Sequence, residues 1–294
     1  MVKIKVGFAK QPYNGHFGRE EIDGGPEALE DGLREQGYEV VDNREARLSG
    51  LEEKMYGIRY RLGLANNHLA DIVADQIKQG LLPIGLLANC NGLMGMLAGH
   101  QRSGGSWAPL RVGLVWVDAH GDFNTPETSL SGMMGGMPVA ISTGLCLDHI
   151  RRTSGLDPPL AMQYVTMVGV RDTDPWEQHL LDKHGVSQIS VDDIKRLSPA
   201  IDMEMDRLSR ITDLIYVHVD LDVLDPVDIP GAGLPVENGP TADELGEALE
   251  LMFEYPSVKG FGLASYPWRR DKERKGLDSV RRLVDGVITG VKNR

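Results

Sequence analysis

Asp118-Ala119-His120-Gly121-Asp122 sets a carboxylate, an imidazole and a second carboxylate at a spacing of two, and His218-Val219-Asp220-Leu221-Asp222 repeats the pattern further along the chain. On an extended backbone alternate residues project to one side, so each segment can present its ligating groups together. Both lie where an apolar run gives way to polar residues: Val112–Val117 before the first, Leu214–Val219 through the second. If the two runs are neighbouring parallel strands, four carboxylates and at least one imidazole meet around a common point. Either segment alone is compatible with ordinary loop carboxylates and a satisfied histidine. Together they imply one or two divalent metals, because burying that much negative charge without cations is very costly. Oxygen-rich ligation favours manganese, with zinc or nickel as alternatives.

The positioning elements follow from the alternation of short apolar runs with longer amphipathic segments. Strands are expected at Ile4–Ala9, Tyr38–Val41, Leu81–Leu87, Val112–Val117, Tyr164–Val170, Leu214–Val219 and Val258–Leu263. Helices are expected at Pro26–Gln36, Leu62–Lys78, Thr241–Phe253 and Leu277–Val291, with a short one after Asn89-Cys90-Asn91-Gly92, another within Ser131–Val139, and one from Pro175 to about Lys183 with Asp174 as N-cap. Parallel strands need crossover helices, so this βα order predicts a three-layer αβα molecule around a mostly parallel sheet. The 294 residues carry no Pro/Gly/Ser-rich linker and no charge block, which predicts one domain over 1–294.

A formal net charge of −12 argues against nucleic-acid and anionic-membrane partners and for a small-molecule substrate. No apolar stretch approaches the ~20 residues of a membrane helix, and Met1-Val2-Lys3-Ile4 opens a strand and not a signal peptide, so a cytoplasmic protein is expected. The two cysteines make no disulfide framework; Cys146 is read as a buried structural thiol. His100 is read as a cap at the end of its short helix, and the methionines around 94–96 and 133–137 as packing. The glycine-rich stretches lack phosphate-loop spacing, so no nucleotide cofactor is indicated.

Beyond these readings, Asp118 to Thr125 and Val219 to Pro226 resemble two signatures of the ureohydrolase family, which includes arginase, agmatinase and formiminoglutamase. Gly24-Gly25-Pro26 and Gly233-Leu234-Pro235 are similar to two further family segments. The resemblance implies an arginase-like α/β fold, a dimanganese site and a homo-oligomer, trimeric or hexameric. It assigns Asp118 and Asp220 as carboxylates bridging two metals, His120 and Asp222 as ligands of one, and Asp122 as a ligand of the other. It also implies that a bridging hydroxide attacks a planar guanidinium carbon while Asp122 relays the proton to the leaving amine. Asn124, Ser131 and Asp174 fall at positions that hold the substrate tail.

Three departures qualify the implied chemistry. The ligand histidine of the first family signature is Cys90 here, which can ligate as a softer thiolate or stand as a buried free thiol beside a site that has lost an ion. His218 is a candidate to compensate, either as a ligand or as a donor behind the ligands. The stretch Gly135-Gly136-Met137-Pro138 carries no shuttle histidine. Ser265 stands where the family has a guanidinium-clamping glutamate, and losing a bidentate charge-assisted pair weakens the case for an unmodified guanidinium. Cys90 together with Asp122–Thr128 looks most like the N-hydroxyarginine amidinohydrolase branch, although that branch keeps the glutamate. The expected function is metal-dependent hydrolysis of a C–N bond in a guanidino-, hydroxyguanidino- or amidine-like molecule, not plain arginase activity. Alternatives are a catalytically silent subunit of the same fold and an amide or ureide hydrolase. Trp268-Arg269-Arg270 reads as a solvated basic run, with a substrate-carboxylate contact as the second reading.

Overall fold

A computed structural model describes residues 4–13, 24–34, 39–104 and 108–294. Its strands are β1 (Val6–Gln11), β2 (Val40–Glu45), β3 (Leu82–Leu87), β4 (Val112–Val117), β5 (Val165–Val168), β6 (Ser187–Ile189), β7 (Leu214–Asp220) and β8 (Val258–Ala264). They form one sheet in the order β2-β1-β3-β8-β7-β4-β5-β6, with every pairing parallel. The expected mostly parallel sheet is thus wholly parallel. Its helices are α1 (Gly25–Arg34), α2 (Ile58–Lys78), α3 (Leu93–Arg102), α4 (Pro138–Ser142), α5 (Asp148–Thr153), α6 (Pro175–His184), α7 (Val191–Lys195), α8 (Pro199–Ile211), α9 (Ala242–Phe253) and α10 (Lys275–Asn293).

Strand parity divides the core into two layers. Val115 and Val117 of β4 and Ile215, Val217 and Val219 of β7 pack with Leu29 of α1, Leu208 of α8, Leu249 of α9 and Leu283 of α10. Leu114 and Trp116, with Leu214 and Tyr216, face the opposite way onto Leu69 and Val73 of α2 and Leu93 and Leu97 of α3. Continuing the second parity delivers Asp118, just past β4, and Asp220, the last residue of β7, on the α2/α3 side of the sheet. The chemistry-bearing loops follow β3, β8, β7, β4 and β5, five neighbours in the sheet, so their C-terminal ends converge at one edge.

Local signals set the helix ends. Thr241 caps α9, accepting the Glu244 N–H while the Glu244 carboxylate accepts the Thr241 N–H. The expected strand Tyr38–Val41 lies instead at Val40–Glu45, and Tyr38, with the last residues of the expected helix Pro26–Gln36, falls outside the described residues. Four elements had no counterpart in the expected set: α5, β6, α7 and α8. A three-residue strand is too short to show periodicity, whereas Ser198-Pro199 was a readable helix start, with the Ser198 hydroxyl accepting the Ala200 N–H.

His100 does not cap its helix. It is fully buried, its Nδ1 donates to the Met96 carbonyl at 2.7 Å, and the side chain fills the space left by Gly260, where a Cβ would come within 2.1 Å of it. Gly262 leaves corresponding room for the Tyr216 hydroxyl. Cys146 is only half-buried, a correction to the expected buried thiol. No helix among the described residues is long and apolar enough to cross a membrane.

Burial holds His100 down at about 4, outweighing its backbone contacts with Met96 and Lys259. The folded state therefore binds this proton less readily than the unfolded chain does at 6.5. Its contribution to stability is present above pH 6.5 and is lost as pH falls toward 4, with a slope of at most about 1.4 kcal/mol per pH unit. Urea unfolding between pH 4.5 and 7 should show a shallower pH slope for His100→Gln than for the native chain; equal slopes would contradict this account.

Candidate metal centre

Beyond the end of β4 the backbone turns sharply. The Asp118 Oδ1 accepts the His120 N–H at 2.7 Å, and Asp122 adopts a left-handed conformation, φ 47°. Aspartate tolerates that region better than most residues. The Asp122 carbonyl is fixed by the Val139 and Ala140 N–H groups at the start of α4. The second segment departs further from an extended spacing: Asp220 ends β7, and Leu221–Val223 is one 3₁₀ turn in which the Asp222 N–H donates to Asp220 Oδ1 at 3.0 Å. Turns, and not a continued strand, aim these carboxylates.

The result is two ligand groups with one member in common. Cys90, Asp118 and Asp122 offer donor atoms within 4.8 Å of one another, and so do Asp118, His120 and Asp222. Cys90 arrives from the other side, in a 3₁₀ turn before α3 that Asn89 caps by accepting the Asn91 N–H. Its Sγ donates to Asp220 Oδ2 at 2.8 Å and lies 3.8 Å from Asp118 Oδ2. Ser265, with φ 66°, donates its hydroxyl to the same Asp220 Oδ2 at 2.5 Å.

Without a cation this cluster is electrostatically frustrated. Burial, then the neighbouring carboxylates, push Asp118 and Asp122 well above the usual range. Asp220 is pushed to about 7 by burial and Asp222, against the opposing hydrogen bonds. Burial and the surrounding carboxylates raise the Cys90 thiol as well. Burial disfavours charge on His120, yet its hydrogen bonds and ion pairs with Asp118 and Asp222 outweigh that and raise it to about 12, so an imidazolium takes the cation's place. Asp222 Oδ1 is buried with no partner. An orphaned buried carboxylate oxygen in an oxygen-rich donor set fits a divalent metal.

The cluster floors a cavity of about 930 Å³. Asn124, Ser131 and Asp174 line it as expected, with Asn124 Nδ2 donating to Asp174 Oδ2 at 3.1 Å and Ser131 at the exposed lip. His218 does not reach it. It lies under the floor, stacked on Trp116 with ring centroids 4.5 Å apart and paired through Nδ1 with the Tyr216 hydroxyl at 2.9 Å. Trp116 Nε1 donates to the His120 carbonyl at 3.2 Å, so His218 bears on the cluster only through packing. Met94, Met134 and Met137 pack as expected, while Met133 lines the cavity. Arg269 and Arg270 line it too, so they are not merely a solvated run.

Two lining carboxylates were not singled out from the sequence. Asp172 pairs backbone to backbone with His120 in an isolated parallel bridge, a contact no sequence spacing reveals. Glu177 accepts the Phe123 N–H at 2.7 Å and the Asp174 N–H at 3.2 Å. Its signal was readable, since Asp174-Pro175-Trp176-Glu177 has the spacing of a capping box. Burial raises Glu177 above the ordinary range, against those two hydrogen bonds.

The model of the arginase family matches residues 6–266. The arginase of Bacillus caldovelox is 32% identical over 241 residues, covering 81% of this chain and 74% of that protein. The crystal structure of arginase from Bacillus subtilis superposes with a TM-score of 0.81 at 27% identity, covering 97% of this chain and 98% of that one. Formimidoylglutamase from the same organism shares the fold, with a TM-score of 0.76 at 18% identity over 99% of this chain and 88% of its own.

Truncating Glu177 leaves the buried Phe123 N–H without a partner, which costs about 1–3 kcal/mol. Glu177→Ala should therefore lower Tm by several degrees and loosen the segment bearing Asp122. Hydrogen exchange at Phe123 matching that of the native chain would contradict the role given to Glu177.

Proposed function

This chain belongs to the arginase family, and from that premise we propose that it is a divalent-metal-dependent hydrolase of a C–N bond in a guanidino- or hydroxyguanidino-type small molecule. The family is metal-dependent, and the observation that carries the reading is the sharing of Asp118 between the groups Cys90/Asp118/Asp122 and Asp118/His120/Asp222. Asp118, His120 and Asp222 would hold one ion and suit manganese, while Cys90, as a thiolate, would make the group it forms with Asp118 and Asp122 the softer one. Bound there, divalent metal supplies the Lewis acidity that brings the pKa of a water toward neutrality.

The chain's own residues do the rest. Asp118, Asp220 and Asp222 place negative charge under a planar cation. Asp122, held by its left-handed backbone and by the first N–H groups of α4, takes the proton on a carboxylate oxygen and returns it to the leaving nitrogen. Asn124, Ser131 and Asp174 receive the substrate tail.

Two of the three proteins compared above carry the name arginase, which keeps arginine on the panel of substrates. One feature weakens the case for an unmodified guanidinium, and a second leaves room beside Asp122 for a larger head group such as a hydroxyguanidine. The Ser265 hydroxyl is committed to Asp220 and offers no charge to a guanidinium. Gly135 and Gly136 leave the cavity wall beside Asp122 without a side chain, where a Cβ at 136 would lie 4.0 Å from Asp122 Oδ1. A second reading, a single-ion site with amide or ureide chemistry, draws on Asp220 Oδ2, which already accepts from both Cys90 and Ser265.

Arginine, N-hydroxyarginine, agmatine and simple amides, assayed with manganese for urea, hydroxyurea and ammonia, test the reading. Asp122→Asn should lower turnover by about 10²- to 10⁴-fold with the fold retained by circular dichroism. Unchanged turnover in that variant would remove Asp122 from the chemistry, and ammonia without urea would favour the second reading.

A further inference from the structure

One side of the cavity mouth carries apolar side chains for which the chemistry at the floor has no use. Leu234 lines the cavity and is 54% exposed. Leu130, 77% exposed, directly precedes Ser131 at the lip, and its N–H donates to Asp174 Oδ2 at 3.4 Å. Trp176, 63% exposed, stands two residues beyond Asp174 at the start of α6, its ring perpendicular to that of His179. Hydrophobic side chains exposed singly over a surface are ordinary, whereas several gathered at the opening of a cavity mark a contact surface.

The three residues come from three chain segments that are tied together. Arg171 donates to the Gly169, Val236 and Glu237 carbonyls at 3.1, 2.8 and 3.0 Å, which draws the loop bearing Leu234 against the segment bearing Asp172 and Asp174. Asp174 is joined in turn to the segment 124–131, because its Oδ2 accepts both the Asn124 side chain and the Leu130 N–H. That oxygen therefore already has two N–H partners before any substrate arrives. The cavity, about 930 Å³, lies at the upper end of the roughly 300–1,000 Å³ range of sites that enclose a drug-sized ligand. A guanidine head over the carboxylates, with its tail at Asn124, Ser131 and Asp174, leaves the rim beyond Asp174 uncovered.

We propose that Leu130, Trp176 and Leu234 form an apolar collar that takes an uncharged hydrophobic group at the far end of the substrate. Resting on the reading of the cavity floor as a guanidine site, this assigns the substrate class as guanidines whose tail nitrogen is acylated and not a free ammonium. Such a tail keeps an amide N–H for Asp174 and carries its hydrocarbon outward onto the collar. A bare ammonium covers none of that surface.

Calorimetric titration of the manganese-loaded protein with N-acetylagmatine and N-benzoylagmatine tests the proposal, since the two share guanidine, spacer and amide and differ in apolar surface. The benzoyl compound should bind roughly tenfold tighter, the effect of about 60 Å² of apolar surface leaving water. Trp176→Ser and Leu234→Ser should each reduce that ratio, and the double variant should bring it close to one. Met203→Ser, which removes an exposed side chain of α8 outside the cavity lining, should keep it. Equal binding of the two compounds by the native protein, an undiminished ratio in the double variant, or loss of the ratio in Met203→Ser overturns the collar. Urea release is read separately. Hydrolysis of both compounds with equal binding would leave the hydrolase reading standing without the collar, and benzoyl preference without turnover would defeat the hydrolase reading and leave the collar in place.

Discussion

Mutual repulsion among Asp118, Asp122, Asp220 and Asp222, buried side by side, is the constraint on which the rest of this structure depends. Four carboxylates with His120 as the one cation among the described residues that is paired to them cannot all ionise in such surroundings, and the raised Asp118, Asp122 and Asp220 register that conflict. A fold gains nothing from such a cage unless cations complete it. The hydrogen bonds that Asp220 takes from Cys90 and Ser265, and the ion pairs of His120, are the arrangement of a centre whose balancing charge comes from outside the chain.

Holding the repulsion in place takes rigid support from several directions. Two fully buried parallel strands, β4 and β7, carry the first carboxylate of each segment, and their register sets Val117 against Val219 so that Asp118 and Asp220 emerge together. Short turns then redirect His120, Asp122 and Asp222. Behind them Trp116 anchors the His120 carbonyl and stacks on His218, while Glu177 ties the Asp122–Phe123 backbone to the start of α6. Packing energy from the two core layers sustains the strain at Asp122 and Ser265, the kind of backbone conformation that persists only where its surroundings over-determine it.

Much of this is legible in the sequence itself. Strand-then-ligand pairs announced both the sheet edge and the donors, because a period of two and a metal-type residue set are local signals. The family resemblance added Cys90, which lies far from its partners in sequence and has no local signature. Misreadings came where tertiary context decided. His218 shares the parity of Asp220 and was a candidate to support the ligands, but one step back along β7 places it inside the helix–sheet layer against Trp116 and Tyr216. His100 looked like a helix cap, yet the facing strand position is Gly260, and the vacant space draws the imidazole inward. Asp172 was invisible because its relation to His120 is a bridge between two loops, and Arg269 looked like solvated charge because only the course of the chain after β8 brings it to the cavity rim.

The central claim is that Asp118 is shared by two ion positions, with Cys90 serving one of them. Elemental analysis of protein purified with manganese supplied, run beside a Cys90→Ala variant and paired with thermal unfolding before and after chelation, tests it most directly. The account predicts close to two ions per chain in the native protein, about one in the variant, and a fall in Tm on chelation as the carboxylates lose their counter-charge. One ion or none in the native protein, or a Tm indifferent to chelation, would contradict it.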